Sequence, residues 1–311
     1  METSAHKSDF VHVNGIKLHY LDWGGNGEAL IFLAGLGNSA HCYDRIAPRF
    51  ADKFHVLALT RRGHGESDYP ETGYELDILV NDILVFMNTL NIEKVILAGH
   101  SLAGVEMTRF AENYPERIAK LIYFDAVYDP KGRKEILEGS PVHSIRPPIE
   151  KSEFVTVDEY IEYLKYLRPD LAQIWNEVYD TTIIFDLEKN ADGKYVEKDI
   201  SFVARQILES VTTYDHRHAN IQVPVLWFSA TTNPMRPVYF TDEQRKAAND
   251  FHFNQWLPYQ QREIAQFKAD VPHAKVIEIP NSNHACFISD EDLVYEEMSS
   301  FLVASSNLEQ T

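Results

Sequence analysis

Ser101 stands at the end of an apolar run, Val95-Ile96-Leu97-Ala98, with Gly99-His100 before it and Leu102-Ala103-Gly104 after it. A serine hydroxyl is a weak nucleophile until a neighbouring base takes its proton. A sharp strand-to-helix turn exposes such an oxygen and aims the first N–H groups of the helix beside it, and small neighbours make that strained turn accessible. Gly99 fills the first position of a G-x-S-x-G pattern, Ala103 fills the fifth, and Gly104 follows one place later. The chemistry implied is acyl transfer through a serine. It needs three further parts: a base, an acid that orients the base, and N–H donors for the developing oxyanion.

Each part has a candidate where a strand is expected to end. His284 follows Ile279-Pro280-Asn281-Ser282-Asn283, after the last expected strand and before the last expected helix, and of the thirteen histidines it is best placed as the base. Ala34-Gly35-Leu36-Gly37 follows the first central strand, and its glycines free the backbone to turn amides inward. The oxyanion donors are therefore assigned to the N–H groups of Leu36 and Leu102. Asp125 ends the strand after the nucleophile and is the candidate acid, with Asp129 nearby as the alternative; either aspartate would otherwise serve as a helix cap or turn residue.

The elements that must hold these residues are written as alternating apolar runs and helical spacings. Residues 11–20, with Asn14-Gly15 at the middle, read as a hairpin. Four short continuous apolar runs, 29–33, 55–59, 94–98 and 120–124, read as parallel strands covered on both faces, and 223–229 and 275–279 add two more. Leu76, Leu79, Ile83, Phe86 and Leu90 are spaced as one helix face, residues 43–50 read as a short helix, and a final helix is expected over about 290–303. Between Val127 and Gln222 the pattern changes to aromatics at helical spacing. This segment is expected to be an inserted cap, with Tyr160, Tyr163 and Tyr166 along one edge, packed into a core or lining a substrate site, and with a hairpin at Asp192-Gly193. The expected division is a core in two parts, 1–126 and 223–311, interrupted by the cap at 127–222.

Composition narrows the partners. A formal charge of -18 argues against nucleic-acid and anionic-membrane surfaces, which demand basic patches, and no apolar run approaches the length of a membrane span. The opening residues hold no apolar signal-peptide core, so cytoplasm is the default compartment. Two cysteines, Cys42 and Cys286, are too few for a disulfide scaffold and lack metal-ligand spacing, so free thiols are expected. Asp215-His216-Arg217-His218 reads as solvated polar chain, and no Walker lysine motif or G-x-G-x-x-G is present. No metal and no cofactor is expected.

Together these residues resemble the α/β-hydrolase superfamily over nearly the whole chain, including Arg61-Arg62-Gly63-His64-Gly65-Glu66-Ser67 after the second central strand. The resemblance implies an α/β fold: a mostly parallel central sheet flanked by helices, with an inserted, mainly helical cap. There are two departures. In much of the family the acid lies in a G-x-x-D-P pattern after the post-cap strand, where this chain has Ala230-Thr231-Thr232-Asn233-Pro234; some branches place it where Asp125 stands. Ala34 replaces a frequent histidine before the oxyanion glycine, which leaves the backbone donors usable.

The reading implied is a serine esterase that hydrolyses a carboxylic ester or lactone through an acyl-enzyme. Serine at the elbow separates the chain from the dehalogenase and epoxide hydrolase branches, which use aspartate there. The cap and the aromatic-rich stretch 239–259 imply a covered pocket for a bulky apolar small molecule. On overall pattern the chain is also similar to the serine-dependent macrolide esterases, and a cationic amino sugar would suit its acidic balance. Two alternatives accompany this reading: serine hydrolysis of an amide or carbon-carbon bond, and a non-catalytic ligand receptor on the same fold.

Overall fold

Asn14 and Gly15 both take positive φ, 49° and 84°, the turn that folds strand β1 (Lys7–Val13) antiparallel onto β2 (Ile16–Gly24). The chain then alternates strand and helix: β3 (Ala29–Leu33), β4 (His55–Leu59), α1 (Leu76–Thr89), β5 (Val95–His100), α2 (Ala103–Asn113) and β6 (Ile118–Phe124). After β6 come α3 (Pro130–Glu138), α4 (Val157–Leu167), α5 (Pro169–Gln173), α6 (Glu177–Asp186), a small hairpin of β7 (Leu187–Lys189) and β8 (Tyr195–Glu197), and α7 (Ser201–Thr212). The chain then adds β9 (Val225–Thr231), α8 (Asp242–Phe251), α9 (Leu257–Asp270), β10 (Lys275–Pro280), a single turn α10 (Cys286–Ser289) and α11 (Glu291–Ala304). This computed structural model describes residues 6–148, 150–215, 218–231, 234 and 237–304.

Eight strands form one sheet in the order β1-β2-β4-β3-β5-β6-β9-β10, parallel from β4 to β10, while β7 and β8 pair apart from it. Successive side chains of a strand point to opposite faces, so a strand covered on both faces must be apolar at every position. That is why the central strands read as unbroken apolar runs. Val95 and Leu97 of β5, Leu121 and Tyr123 of β6, and Val225 and Trp227 of β9 join one core beneath α1, α2, α7 and α9. Ile96 and Ala98, Ile122 and Phe124, and Leu226 and Phe228 join the other, with Tyr43, Phe50, Phe287 and the α11 residues Val294, Met298 and Leu302.

One local expectation changes. Residues 43–50 do not form one helix but follow two 3₁₀ turns, Ala40–Tyr43 and Ala47–Phe50, the second carrying Pro48 in its first turn. The aromatic stretch 239–259 is mainly helical: α8 passes through a π-helical turn, His252–Trp256, into α9. Pro258 lies just beyond that turn. Proline has no N–H and its ring crowds the carbonyl one turn back, and a widened turn relieves both problems.

Within the segment between β6 and β9, Tyr160 is buried with Phe154, Ile161, Ile183 and Leu187 in a small separate core, with Tyr163 packed against it, while Tyr166 packs beside Tyr239. The hairpin at Asp192-Gly193 is present, with Gly193 at φ 75°. Cys42 and Cys286 are both buried free thiols. Among the described residues no helix is long and apolar enough to cross a membrane.

Candidate active site

The loops that matter leave the sheet at the C-terminal ends of parallel strands, where such sheets open a crevice. Ser101 leaves β5, Asp125 leaves β6, and His284 lies between β10 and α10. Ser101 takes φ 53°, a left-handed conformation that costs a non-glycine residue about 1–3 kcal/mol and persists only where its surroundings enforce it. The surroundings are tight. A Cβ on Gly99 would overlap Met107 Sδ, and one on Gly104 would overlap the carbonyl of Ala126. The late glycine of the sequence pattern therefore lets α2 lie directly against the exit of β6, while the Ala103 methyl is fully buried.

Asp125 takes φ 46°, and its N–H donates to the Phe228 carbonyl at 2.7 Å, extending the β6–β9 ladder by one residue before the chain turns away. Asp125 is 2 % exposed, and its carboxylate accepts three hydrogen bonds. Tyr128 Oη donates to Oδ1 at 2.6 Å, the Ala230 N–H donates to Oδ1 at 3.0 Å, and His284 Nδ1 donates to Oδ2 at 2.6 Å. With Nδ1 carrying its proton toward a carboxylate, the His284 Nε2 lone pair faces Ser101 Oγ at 2.9 Å and accepts from it. Serine, imidazole and carboxylate thus form one continuous hydrogen-bonded line. Asp129 is engaged otherwise: its carboxylate accepts from the N–H groups of Lys131 and Gly132 and caps α3.

Three supports were not legible in the sequence. Tyr128 is buried beside Asp125, and burial first, then the aspartate charge, push its phenol far above the usual range, so it stays a donor. Gln260 of α9 donates to Tyr128 Oη and to the Ala230 carbonyl, both at 3.2 Å, tying α9 to the partners of Asp125. His100 donates from Nε2 to the His284 carbonyl at 3.0 Å, and its ring centroid lies 4.5 Å from that of His284. Burial, then its histidine neighbour, depress the His100 pKa well below the usual range, so the ring is neutral, with its proton on the nitrogen that faces a carbonyl. His100 also explains Gly35, where a Cβ would stand 2.7 Å from His100 Nδ1 and 3.3 Å from Ser101 Cβ. The loop bearing Leu36 therefore lies against Ser101, and Leu102 immediately precedes α2.

That loop is held from behind by a buried ion pair. Arg61 donates to both carboxylate oxygens of Glu106, at 2.5 and 2.8 Å, and reaches the carbonyls of Ala34 at 2.9 Å and Gly35 at 3.3 Å. Both side chains are more than nine-tenths buried. Removing one member of such a pair strands the other charge. Glu106→Ala is expected to lower unfolding stability by about 3–5 kcal/mol, read from urea denaturation midpoints, and an unchanged midpoint would show that Arg61 needs no partner there.

Comparison with known proteins agrees with this architecture. Residues 28–138 match the family model for the alpha/beta hydrolase fold. The solved E-2-(acetamidomethylene)succinate hydrolase superposes over 96% of this chain and 99% of its own, with a TM-score of 0.75 at 20% identity. The chain has the α/β-hydrolase fold. The enol-lactonase of Burkholderia xenovorans superposes over 94% of this chain and 99% of its own, with a TM-score of 0.64 at 20% identity. In sequence, 2-(acetamidomethylene)succinate hydrolase of Mesorhizobium japonicum is 34% identical over 101 residues, which are 32% of this chain and 36% of that relative. The chain spans about a third of the length of curated relatives it matches. Of the remaining sequence candidates, Asn233 and His216 lie outside the described residues.

Proposed function

We propose that this chain is a serine hydrolase of carboxylic esters or lactones. One observation carries the reading: the unbroken line from Ser101 Oγ through His284 to the buried Asp125 carboxylate. In it, His284 takes the serine proton as Oγ attacks the carbonyl carbon, and the imidazolium then returns that proton to the leaving alkoxide. Asp125 holds the imidazole in the required tautomer and stabilises its charge. The N–H groups of Leu36 and Leu102 receive the oxyanion of the tetrahedral intermediate, and water hydrolyses the acyl-enzyme by the same proton route in reverse.

Residues 127–222 are read as a cap over this crevice. In support, among the described residues no strand of that segment enters the eight-stranded sheet, and its Val203 and Ile200 pack over Gly63 and Gly37, which follow β4 and β3. A covered site fits a bulky, largely apolar acyl or alkoxy group. Within this reading, the lactone of a macrolide bearing a cationic sugar is the finer substrate assignment, consistent with the charge of -18. An amide substrate is the second reading, favoured by the likeness to a relative named as a hydrolase of an acetamido compound.

A mass-spectrometric screen of simple esters, lactones, macrolides and secondary amides separates these readings. The expected result is addition of one water to esters or lactones by wild type and not by Ser101→Ala. Exclusive turnover of amides would replace the ester assignment, and turnover of simple acyl esters without macrolides would remove the finer one.

A further inference from the structure

On the side of the sheet that carries the N-terminal hairpin, five titratable side chains from four segments converge: His6 before β1, His19 on β2, His41 and Asp44 at the first 3₁₀ turn, and Glu66 after β4. None belongs to the line through Ser101. The Nε2 atoms of His41 and His19 lie 3.1 and 3.2 Å from the same Glu66 oxygen, Oε2. One donor atom from each of the three residues falls within 4.8 Å of the others. Bonds of 2.0–2.1 Å to a tetrahedral zinc separate neighbouring ligand atoms by about 3.3 Å. The two separations from Glu66 are already close to that edge.

The outer nitrogens are held as metal-bound imidazoles require, with the second ring atom fixed by an oxygen partner. His41 Nδ1 lies 3.1 Å from Asp44 Oδ2. His19 Nδ1 lies 3.0 Å from Thr60 Oγ1, which the Ala40 N–H also engages at 3.0 Å. The Phe185 ring stacks on His41 at 3.8 Å with an interplanar angle of 2°, which fixes the plane of the imidazole. His19 is fully buried and Glu66 is partly open to solvent, so the site has both a closed back and an entry. Ser8 Oγ, 3.0 Å from His19 Nε2, places a neutral oxygen beside the cluster. A second overlapping triple, His6, His41 and Asp44, adjoins it, with Asp44 Oδ1 3.4 Å from His6 Nε2 and His6 Nδ1 buried without a hydrogen bond among the described residues.

We propose that His19, His41 and Glu66 form a binding site for a divalent metal of the zinc class, with Asp44 and Thr60 orienting the imidazoles. Imidazole and carboxylate donors in this number suit zinc and its neighbours in the first transition row better than magnesium or calcium, which take oxygen. The metal acts as a clasp. It joins β2, the turn that follows the Ala34-to-Gly37 loop, and the exit of β4 that carries Arg61, and it is independent of the hydrolase reading. The ligands are scattered along the chain, so no spacing pattern announces them.

The test uses the whole chain, freed of any affinity tag and stripped with chelator, titrated with zinc sulfate by calorimetry and with cobalt chloride by visible absorption. Expected are one equivalent bound at micromolar affinity or tighter, cobalt bands of a four-coordinate site, and a rise in Tm of about 5 °C at saturating zinc. Glu66→Gln and His41→Gln are each expected to weaken binding at least about tenfold, and Asp44→Asn about tenfold, while His284→Ala leaves it unchanged. Absence of saturable binding to the wild-type protein would overturn the proposal. So would undiminished binding in both Glu66→Gln and His41→Gln, or loss of binding in His284→Ala, which would place the metal at the catalytic line.

Discussion

Ser101→Ala is expected to lower kcat on any ester or lactone substrate by about 10⁵–10⁶ with the fold intact. The magnitude follows from the loss of the covalent route: without Oγ, His284 has nothing to deprotonate except water, and only the binding groups and the oxyanion amides remain. The substitution removes one oxygen from a partly exposed side chain and relieves no buried charge, so the thermal midpoint is expected to move little. KM is expected to change far less than kcat, because the hydroxyl acts on the reacting carbonyl and not on the remote parts of the substrate. Steady-state kinetics on a substrate found by the screen, with a melting curve beside it, checks both halves. Activity within tenfold of wild type would remove Ser101 from the chemistry.

Asp125→Asn is expected to lower kcat by about 10⁴. Asp125 now accepts from His284 Nδ1, Tyr128 Oη and the Ala230 N–H. Asparagine offers one carbonyl oxygen and one amide nitrogen, and the nitrogen donates where the carboxylate accepted. If the amide oxygen keeps Tyr128 and Ala230, the nitrogen faces His284 and reverses the tautomer, leaving the proton on Nε2, where it can no longer accept from Ser101. Both orientations also lose the charge that stabilises the imidazolium. The loss is therefore expected in kcat, with the circular dichroism spectrum unchanged. Retained activity would move the acid elsewhere, although Asp129 is already committed to capping α3.

The sheet was readable from sequence because a strand buried on both faces has no choice of pattern. The runs 29–33 and 55–59 are the observed strands β3 and β4, the boundaries of the other four parallel strands differ by one or two residues, and the hairpin strands reach four residues beyond 11–20 at each end. The segment 43–50 misled because apolar spacing over eight residues does not distinguish one helix from two 3₁₀ turns, and Pro48 marks the interruption. Ser101 and His284 were legible through chain order, and Asp125 through its place at the end of an apolar strand. What surrounds them was not. Tyr128, Gln260, His100 and the Arg61–Glu106 pair act through contacts between residues distant in sequence, or through a direction of turning that only positive φ at Ser101 and Asp125 sets. The five-residue histidine and carboxylate cluster stayed invisible for the same reason.

The most direct test of the central claim is labelling by a fluorophosphonate, followed by intact mass and peptide mapping. Such a reagent reports whether the serine is activated and needs no knowledge of the substrate. The expected result is one phosphonyl adduct per chain, on Ser101, absent from Ser101→Ala and slowed by several orders of magnitude in His284→Ala. An unlabelled wild-type protein, or labelling that proceeds at the same rate in His284→Ala, would contradict an activated serine at this elbow.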